Sequence, residues 1–137
     1  MHRSRIILVE DHKPSQAAYN ALLEPEFEVV GVLDDASRLL PHVSDTQPDI
    51  VILDVSLPGR SGFEAARELR QYFPRVFIIF LTTNPAPEYV EEAFALGASA
   101  YVLKVFAVAD LPAAVRSVLS GRRFTSPFLL RDDAERQ

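Results

Sequence analysis

The chain has no cysteine among its 137 residues, and this absence excludes disulfide bonds and thiolate metal sites. Positive charge is not in excess. The net charge is −5, so a surface for the nucleic-acid backbone is not the first expectation. The apolar run at 6–9, after the basic N-terminus, is too short for a signal-peptide core or a membrane span. We therefore expect a cytoplasmic protein of one-domain size with no membrane partner.

Short apolar runs, rich in β-branched residues, alternate along the chain with helical patterns. The runs predict strands over residues 6–9, 27–33, 50–54, 76–81 and 100–103. The fourth helix is predicted to begin at Asn84-Pro85 or at Pro87, and the fifth to be capped by Asp110 with Pro112 in its first turn. Five β-α units with short connections predict an α/β fold, a five-stranded parallel sheet with helices on both faces.

The third predicted strand carries the residue on which the functional prediction depends. Four consecutive apolar residues, three of them β-branched, occupy 50–53 and predict a strand buried on both faces. The run ends at Asp54, and Pro58-Gly59 then suits a tight turn. Ligands of open α/β sheets bind at the carboxyl ends of the strands, so the neighbours of Asp54 indicate its chemistry.

Every predicted strand ends in polar residues. In a sheet ordered 2-1-3-4-5, strands 1 and 3 are adjacent, and Glu10, Asp11 and Asp54 converge. Thr82 then lies one strand away and Lys104 two. Three carboxylates at one edge repel each other, and a hard divalent cation such as Mg²⁺ removes the conflict. An Asp carboxylate can attack phosphorus, and a Lys and a Thr suit phosphoryl oxygens, so the pattern indicates phosphoryl chemistry at Asp54.

Four segments at these strand ends resemble the receiver domain of bacterial two-component response regulators, which has a flavodoxin-like fold. They are residues 9–12, 53–59 with Gly62, 81–83 and 97–104. Any single segment is weak, but all four in order are specific. The resemblance predicts a receiver domain over 1–121 and a C-terminal tail or the start of a linker over 122–137. Residues 9–12, 54–59 and 87–90 are most similar to receivers joined to a LuxR/NarL-type helix-turn-helix.

The resemblance implies a role for each matching residue. Asp54 would accept a phosphoryl group from a sensor histidine kinase or a phosphotransfer protein. Thr82 and Lys104 would contact phosphoryl oxygens. Tyr101 would be an aromatic switch that turns inward when Thr82 moves toward the phosphate, unless it is an ordinary strand aromatic. The implied ligands of Mg²⁺ are Glu10, Asp11, Asp54 and the backbone carbonyl of Ser56.

The resemblance also implies an output surface, formed by the fourth helix, fifth strand and fifth helix over roughly residues 85–119. This surface would control an output such as transcription, and it or a neighbouring surface would support a homodimer. No helix-turn-helix is present, so we expect no nucleic-acid binding by this domain itself. The chain is either a stand-alone receiver or one domain of a longer protein.

Two other functions stay open at this stage. One is a pseudo-receiver that is not phosphorylated and acts only as a protein interaction module. The other is a phosphatase or hydrolase with an Asp nucleophile. Such enzymes place a second Asp two residues after the nucleophile, where this chain has Ser56. We therefore do not expect an enzyme with an outside substrate.

Two residues depart from the family pattern. Val105 follows Lys104 where many receivers have a proline in a cis peptide. A cis bond before a residue other than proline costs about 2.5–4 kcal/mol, so we expect a trans peptide here. Thr83 stands where a smaller residue is common, and its β-branched side chain predicts narrower access to the phosphoryl group and slower exchange.

Overall fold

Strands and helices alternate throughout the computed structural model, which describes residues 3–129. The strands are β1 (Arg5–Val9), β2 (Glu28–Leu33), β3 (Ile50–Asp54), β4 (Phe77–Thr82), β5 (Ala100–Leu103) and β6 (Phe124–Thr125). The helices are α1 (Lys13–Leu23), α2 (Leu39–Thr46), α3 (Gly62–Tyr72), α4 (Pro87–Ala95) and α5 (Ala107–Leu119), with a 3-10 turn over Lys104–Phe106. Within these residues, no helix is both long and apolar enough to cross a membrane.

The strands form one parallel sheet in the order β2-β1-β3-β4-β5-β6. Successive residues of a strand point to opposite faces, and the core divides accordingly. In β3, Val51 and Leu53 pack into the cluster that includes α2, α3 and α4. Ile50 and Ile52 pack into the other cluster, with α1 and α5. Both faces are therefore covered by helices, which explains why this strand is apolar without alternation.

In the described part of the chain the sheet has six strands, so the predicted count of five was wrong, whereas the predicted order of the first five is confirmed. The additional strand is the two-residue β6, which pairs in parallel with Ala100 and Tyr101 of β5. Two residues are too few to show a strand periodicity. The segment was predicted as a tail or linker over 122–137, of which residues 130–137 lie outside the described part of the chain.

The fifth helix begins earlier than predicted. It starts at Ala107, directly after the 3-10 turn, so Pro112 lies inside the helix and Asp110 is not its cap. Proline removes one helical amide, but the buried Leu111 and Val115 hold the helix against the sheet. The fourth helix begins at Pro87, one of its two predicted starts.

Gly62 sets how closely the start of α3 approaches the end of β3. Its amide donates to the carbonyl of Val55 at 2.7 Å. A Cβ at this position would overlap the carbonyl oxygen of Asp54 and lie 2.9 Å from the Cα of Val55. Only glycine, which has no Cβ, permits this approach. The loop that follows Asp54 is thereby held against the strand that it leaves.

We predict that Gly62→Ala lowers the free energy of unfolding by about 1–3 kcal/mol, because the added carbon forces the backbone of Asp54 to move. Helix propensity alone predicts the opposite sign, a gain of up to about 1 kcal/mol. Urea unfolding decides between the two. Gly59→Ala is the control, since a Cβ there meets nothing within 4 Å and only its positive φ of 81° is strained. A Gly62→Ala variant as stable as the wild type contradicts the close approach.

Candidate functional site

An ion-paired cluster lies where β1, β3 and β5 end. The Nζ of Lys104 is 2.7 Å from Oδ2 of Asp54 and 2.8 Å from Oε1 of Glu10. Glu10 is fully buried and Asp54 is 4% exposed. Carboxylates this deeply buried need a partner of opposite charge, and the ammonium of Lys104 serves both. The structure thus brings together three of the residues predicted from separate strand ends.

Backbone amides orient both buried carboxylates. The amide of Ser56 donates to Oδ1 of Asp54 at 2.9 Å, and the amide of His12 donates to Oε2 of Glu10 at 3.0 Å. Each carboxylate therefore has one oxygen held by a backbone amide and the other facing Lys104. The contact between Lys104 and Oε1 of Glu10 is an ion pair without hydrogen-bond geometry, so this buried oxygen lacks a hydrogen-bond donor among the described residues.

The cluster shifts the pKa values of its members in different directions. Burial raises the pKa of the Asp54 carboxyl, against the hydrogen bonds from Lys104 and the Ser56 amide. Burial also acts to raise the pKa of Glu10, but Lys104 and the His12 amide together hold it below its usual value. The pKa of Lys104 is raised, because its two carboxylate partners outweigh the effect of burial. The lysine is thus held in its charged form beside Asp54.

A divalent cation fits the acidic part of the cluster. Glu10, Asp11 and Asp54 each offer an oxygen within 4.8 Å of the others. Asp11 is exposed, whereas the other two carboxylates are buried, and within residues 3–129 no hydrogen-bond donor reaches Oε1 of Glu10. Carboxylate oxygens are the donors that Mg²⁺ prefers. Three carboxylates and one ammonium also leave two negative charges, which a divalent cation would balance.

Thr82 and Tyr101 lie together beside this cluster. Thr82 is buried at the end of β4, one residue beyond the partner of Asp54 in the strand pairing, and its Oγ1 accepts the amide of Asn84 at 3.1 Å. The ring of Tyr101 is fully buried, and its hydroxyl donates to the carbonyl of Asn84 at 2.6 Å. Burial raises the pKa of Tyr101 to about 12. One residue, Asn84, thus connects both side chains to the loop after β4.

The part played by Asn84 was not foreseen from the sequence. We predicted Asn84 as the N-cap of the fourth helix, with a start at Pro87 as the alternative, but its side chain instead accepts the amide of Ala86 in a turn before α4. Its carbonyl is the group that binds Tyr101. Every residue offers a carbonyl, so residue type carries no signal for this contact.

Val105 and Thr83, the two residues that depart from the family pattern, both line one groove next to Lys104. The peptide between Lys104 and Val105 is trans, as predicted, and Val105 is 80% exposed. Thr83 is exposed, one residue beyond the end of β4. The groove has a volume of about 200 Å³, and its walls are formed by Thr82, Thr83, Pro85, Leu103, Lys104, Val105, Phe106 and Phe128.

Comparison with known proteins agrees with this geometry. Residues 6–116 match the family model described as the response regulator receiver domain. The chain is 36% identical over 129 residues to the transcriptional regulatory protein DesR of Bacillus subtilis, covering 93% of this chain and 64% of DesR. It is 33% identical to the DNA-binding transcriptional activator DevR/DosR of Mycobacterium tuberculosis, covering 86% of this chain and 55% of that protein. The chain therefore spans less than two thirds of these relatives.

Solved structures are similar over nearly the whole chain. A LuxR-family two-component response regulator from Aurantimonas sp. has a TM-score of 0.91 at 36% identity and covers 98% of each chain. The isolated receiver domain of RcsB from Salmonella enterica, solved with the phosphomimetic BeF3-, has a TM-score of 0.88 at 27% identity and covers 95% of this chain and 98% of that one. With the site geometry and the match over residues 6–116, these similarities show that the chain belongs to the response regulator receiver domain family.

Proposed function

We propose that this chain is a phosphoacceptor receiver in which Asp54 takes a phosphoryl group from a sensor histidine kinase or a phosphotransfer protein. The observation that carries the proposal is the ammonium of Lys104, 2.7 Å from Oδ2 of Asp54, at the same sheet edge as Glu10 and Asp11. From its membership of the receiver family we infer that the protein is cytoplasmic.

The transfer step exchanges one bond to phosphorus for another. An oxygen of Asp54 attacks the phosphorus of a phosphohistidine, a P–O bond forms, and the P–N bond breaks. The leaving imidazole nitrogen takes up a proton. The amide of Ser56 holds the carboxylate in one orientation, and the ammonium of Lys104 is already in place to pair with a phosphoryl oxygen. The Thr82 hydroxyl, one strand away, would donate to another.

Glu10, Asp11 and Asp54 would hold Mg²⁺, with the backbone carbonyl of Ser56 as a further ligand. Bound there, the cation would neutralise the negative charge of the incoming phosphoryl oxygens. Because the chain modifies its own aspartate, we infer that it is not an enzyme with an outside substrate.

We infer a transcriptional output from the relatives, which include proteins named as transcriptional regulators. One similar structure contains two RcsB dimers bound to two parallel DNAs. In this chain the output surface would be the α4-β5-α5 surface, where α4 and α5 supply the exposed residues because β5 itself is buried, and it would also support a homodimer. DNA binding would belong to another domain, since the net charge of this one is −5.

The first prediction concerns phosphorylation itself. We expect incubation with a small-molecule phosphodonor and Mg²⁺ to add one phosphoryl group to the wild type, and intact mass spectrometry measures the gain. The gain should require both Mg²⁺ and Asp54, so omission of the cation or the Asp54→Asn change removes it. A folded wild type that gains nothing overturns the proposal and favours a pseudo-receiver that acts only through protein contacts.

A second prediction concerns Thr83. Because its side chain borders the groove beside Lys104, we expect Thr83→Ala to admit water and to speed hydrolysis of the phosphorylated protein roughly two- to fivefold, about 0.5–1 kcal/mol in the barrier. Loss of the phosphoryl group over time is followed by mass. Thr83→Val keeps the shape without the hydroxyl and should hydrolyse at the wild-type rate. If the valine variant hydrolyses as fast as the alanine variant, the hydroxyl of Thr83 and not its bulk slows hydrolysis, which contradicts the prediction.

The third prediction concerns the protonation of Tyr101, whose pKa is about 12 in the fold, against about 10 for an ordinary tyrosine. Above pH about 10 only the unfolded state releases this proton, so wild-type stability falls as pH rises toward 12. Tyr101→Phe lacks this loss, and its decline should be shallower by up to about 1.4 kcal/mol per pH unit. Urea unfolding at several pH values measures the slopes. The exposed Tyr72→Phe is the control, and parallel slopes for Tyr101→Phe and wild type would contradict the burial of the phenol.

A further inference from the structure

Ser126 connects the chain after β6 to the end of β5, next to the lysine of the site. The residue is fully buried, and its amide donates to the carbonyl of Tyr101 at 3.1 Å. Its Oγ accepts the amide of Leu103 at 3.0 Å. Leu103 directly precedes Lys104, so this contact lies one peptide away from the residue that pairs with Asp54 and Glu10.

The hydroxyl of Ser126 takes the place of a backbone acceptor. In a regular parallel ladder the carbonyl of Ser126 would accept the amide of Leu103. Here that carbonyl accepts the amide of Leu129 at 2.9 Å, as the chain turns away from the sheet. The side chain supplies the missing acceptor. A buried amide without a partner is strongly disfavoured, so the amide of Leu103 depends on this hydroxyl.

The same segment also contacts the far end of the turn that carries Lys104. The ring of Phe128 packs against that of Phe106, with 5.5 Å between the centroids. Lys104–Phe106 forms a 3-10 turn. Leu103, which precedes the turn, and Phe106, which ends it, both contact the segment after β6. The backbone of Lys104 is thereby held from both sides.

We propose that Ser126 is a positioning residue that sets where the ammonium of Lys104 stands between Asp54 and Glu10. The contacts of Lys104 with both carboxylates are shorter than 3 Å, so a shift of its backbone changes at least one of them. The effect on phosphoryl transfer rests on the proposed function, whereas the effect on the position of Lys104 does not. A serine that only stabilises the sheet would leave both unchanged.

The position of Lys104 can be measured in the unphosphorylated protein. The chain has only two lysines, Lys13 and Lys104, so isotope labelling at lysine gives one amide and one ammonium signal for each by NMR. We expect Ser126→Ala to shift both signals of Lys104 and to leave Lys13, exposed and paired with Asp34, in place. Ser126→Thr keeps the hydroxyl and should restore the wild-type signals.

Ser120→Ala is the matched control, because among residues 3–129 this hydroxyl donates only to the carbonyls of Arg116 and Ser117 at the end of α5. It should shift neither lysine. Lys104 signals that stay in place in Ser126→Ala overturn the proposal. If Ser126→Ala does not fold, Phe128→Ala frees the other end of the turn and is measured in the same way, with unmoved Lys104 signals again overturning it.

The second measurement is the rate of phosphorylation by the small-molecule donor. We expect Ser126→Ala to slow it about tenfold, less than the roughly hundredfold that a 1 Å misplacement of a reacting group can cost, and Ser126→Thr to recover it. A wild-type rate in a Ser126→Ala protein with shifted Lys104 signals overturns the proposal. If the wild type takes no phosphoryl group, only the proposed function is overturned. The NMR signals of Lys104 then decide whether Ser126 positions this lysine.

Discussion

The ion pair of Lys104 with Asp54 and Glu10 is the contact on which the arrangement of the site depends. Two carboxylates are buried at the edge of an apolar sheet, and removing them from water is costly unless a positive charge accompanies them. A single lysine meets this need for both. Since Asp54 ends β3, while Glu10 and Lys104 directly follow β1 and β5, the contact requires all three strands to end at one level and in the observed order.

Backbone groups, rather than further side chains, determine the finer geometry of the site. The amides of His12 and Ser56 each hold one carboxylate oxygen. Because Gly62 has no Cβ, the start of α3 can pack closely on the loop that follows Asp54. Asn84 acts in the same way, since its carbonyl holds the hydroxyl of Tyr101. These groups belong to the short loops at the carboxyl ends of the strands, where the chain is free of the sheet ladder but still anchored by it.

The difference between contacts made by side chains and contacts made by the backbone explains what could be predicted from the sequence. The strand that ends at Asp54 was predictable because a buried parallel strand is an uninterrupted apolar run, and the convergence of Glu10 with Asp54 followed from the strand order. The family resemblance then supplied roles for Thr82 and Lys104. A hydrogen bond accepted by a backbone carbonyl leaves no trace in residue type, and so Asn84 was predicted only as a cap. The missed sixth strand has a different cause: β6 has only two residues, which are too few to show the alternation that identifies a strand.

The charge of the site's own side chains affects both of its proposed ligands, the divalent cation and the phosphoryl group. The ammonium of Lys104 already neutralises part of the charge of Glu10 and Asp54, so a divalent cation and a phosphoryl group would both enter a site whose lysine is occupied. Glu10 and Asp54 are also among the residues that would hold Mg²⁺, so the cation and Lys104 would share one set of buried oxygens. Lys104 would then pair with a phosphoryl oxygen on Asp54 without leaving this cluster. The bond between Ser126, directly after β6, and the amide of Leu103 then matters for the site, since the proposed positioning would limit how far the ammonium of Lys104 moves between its partners.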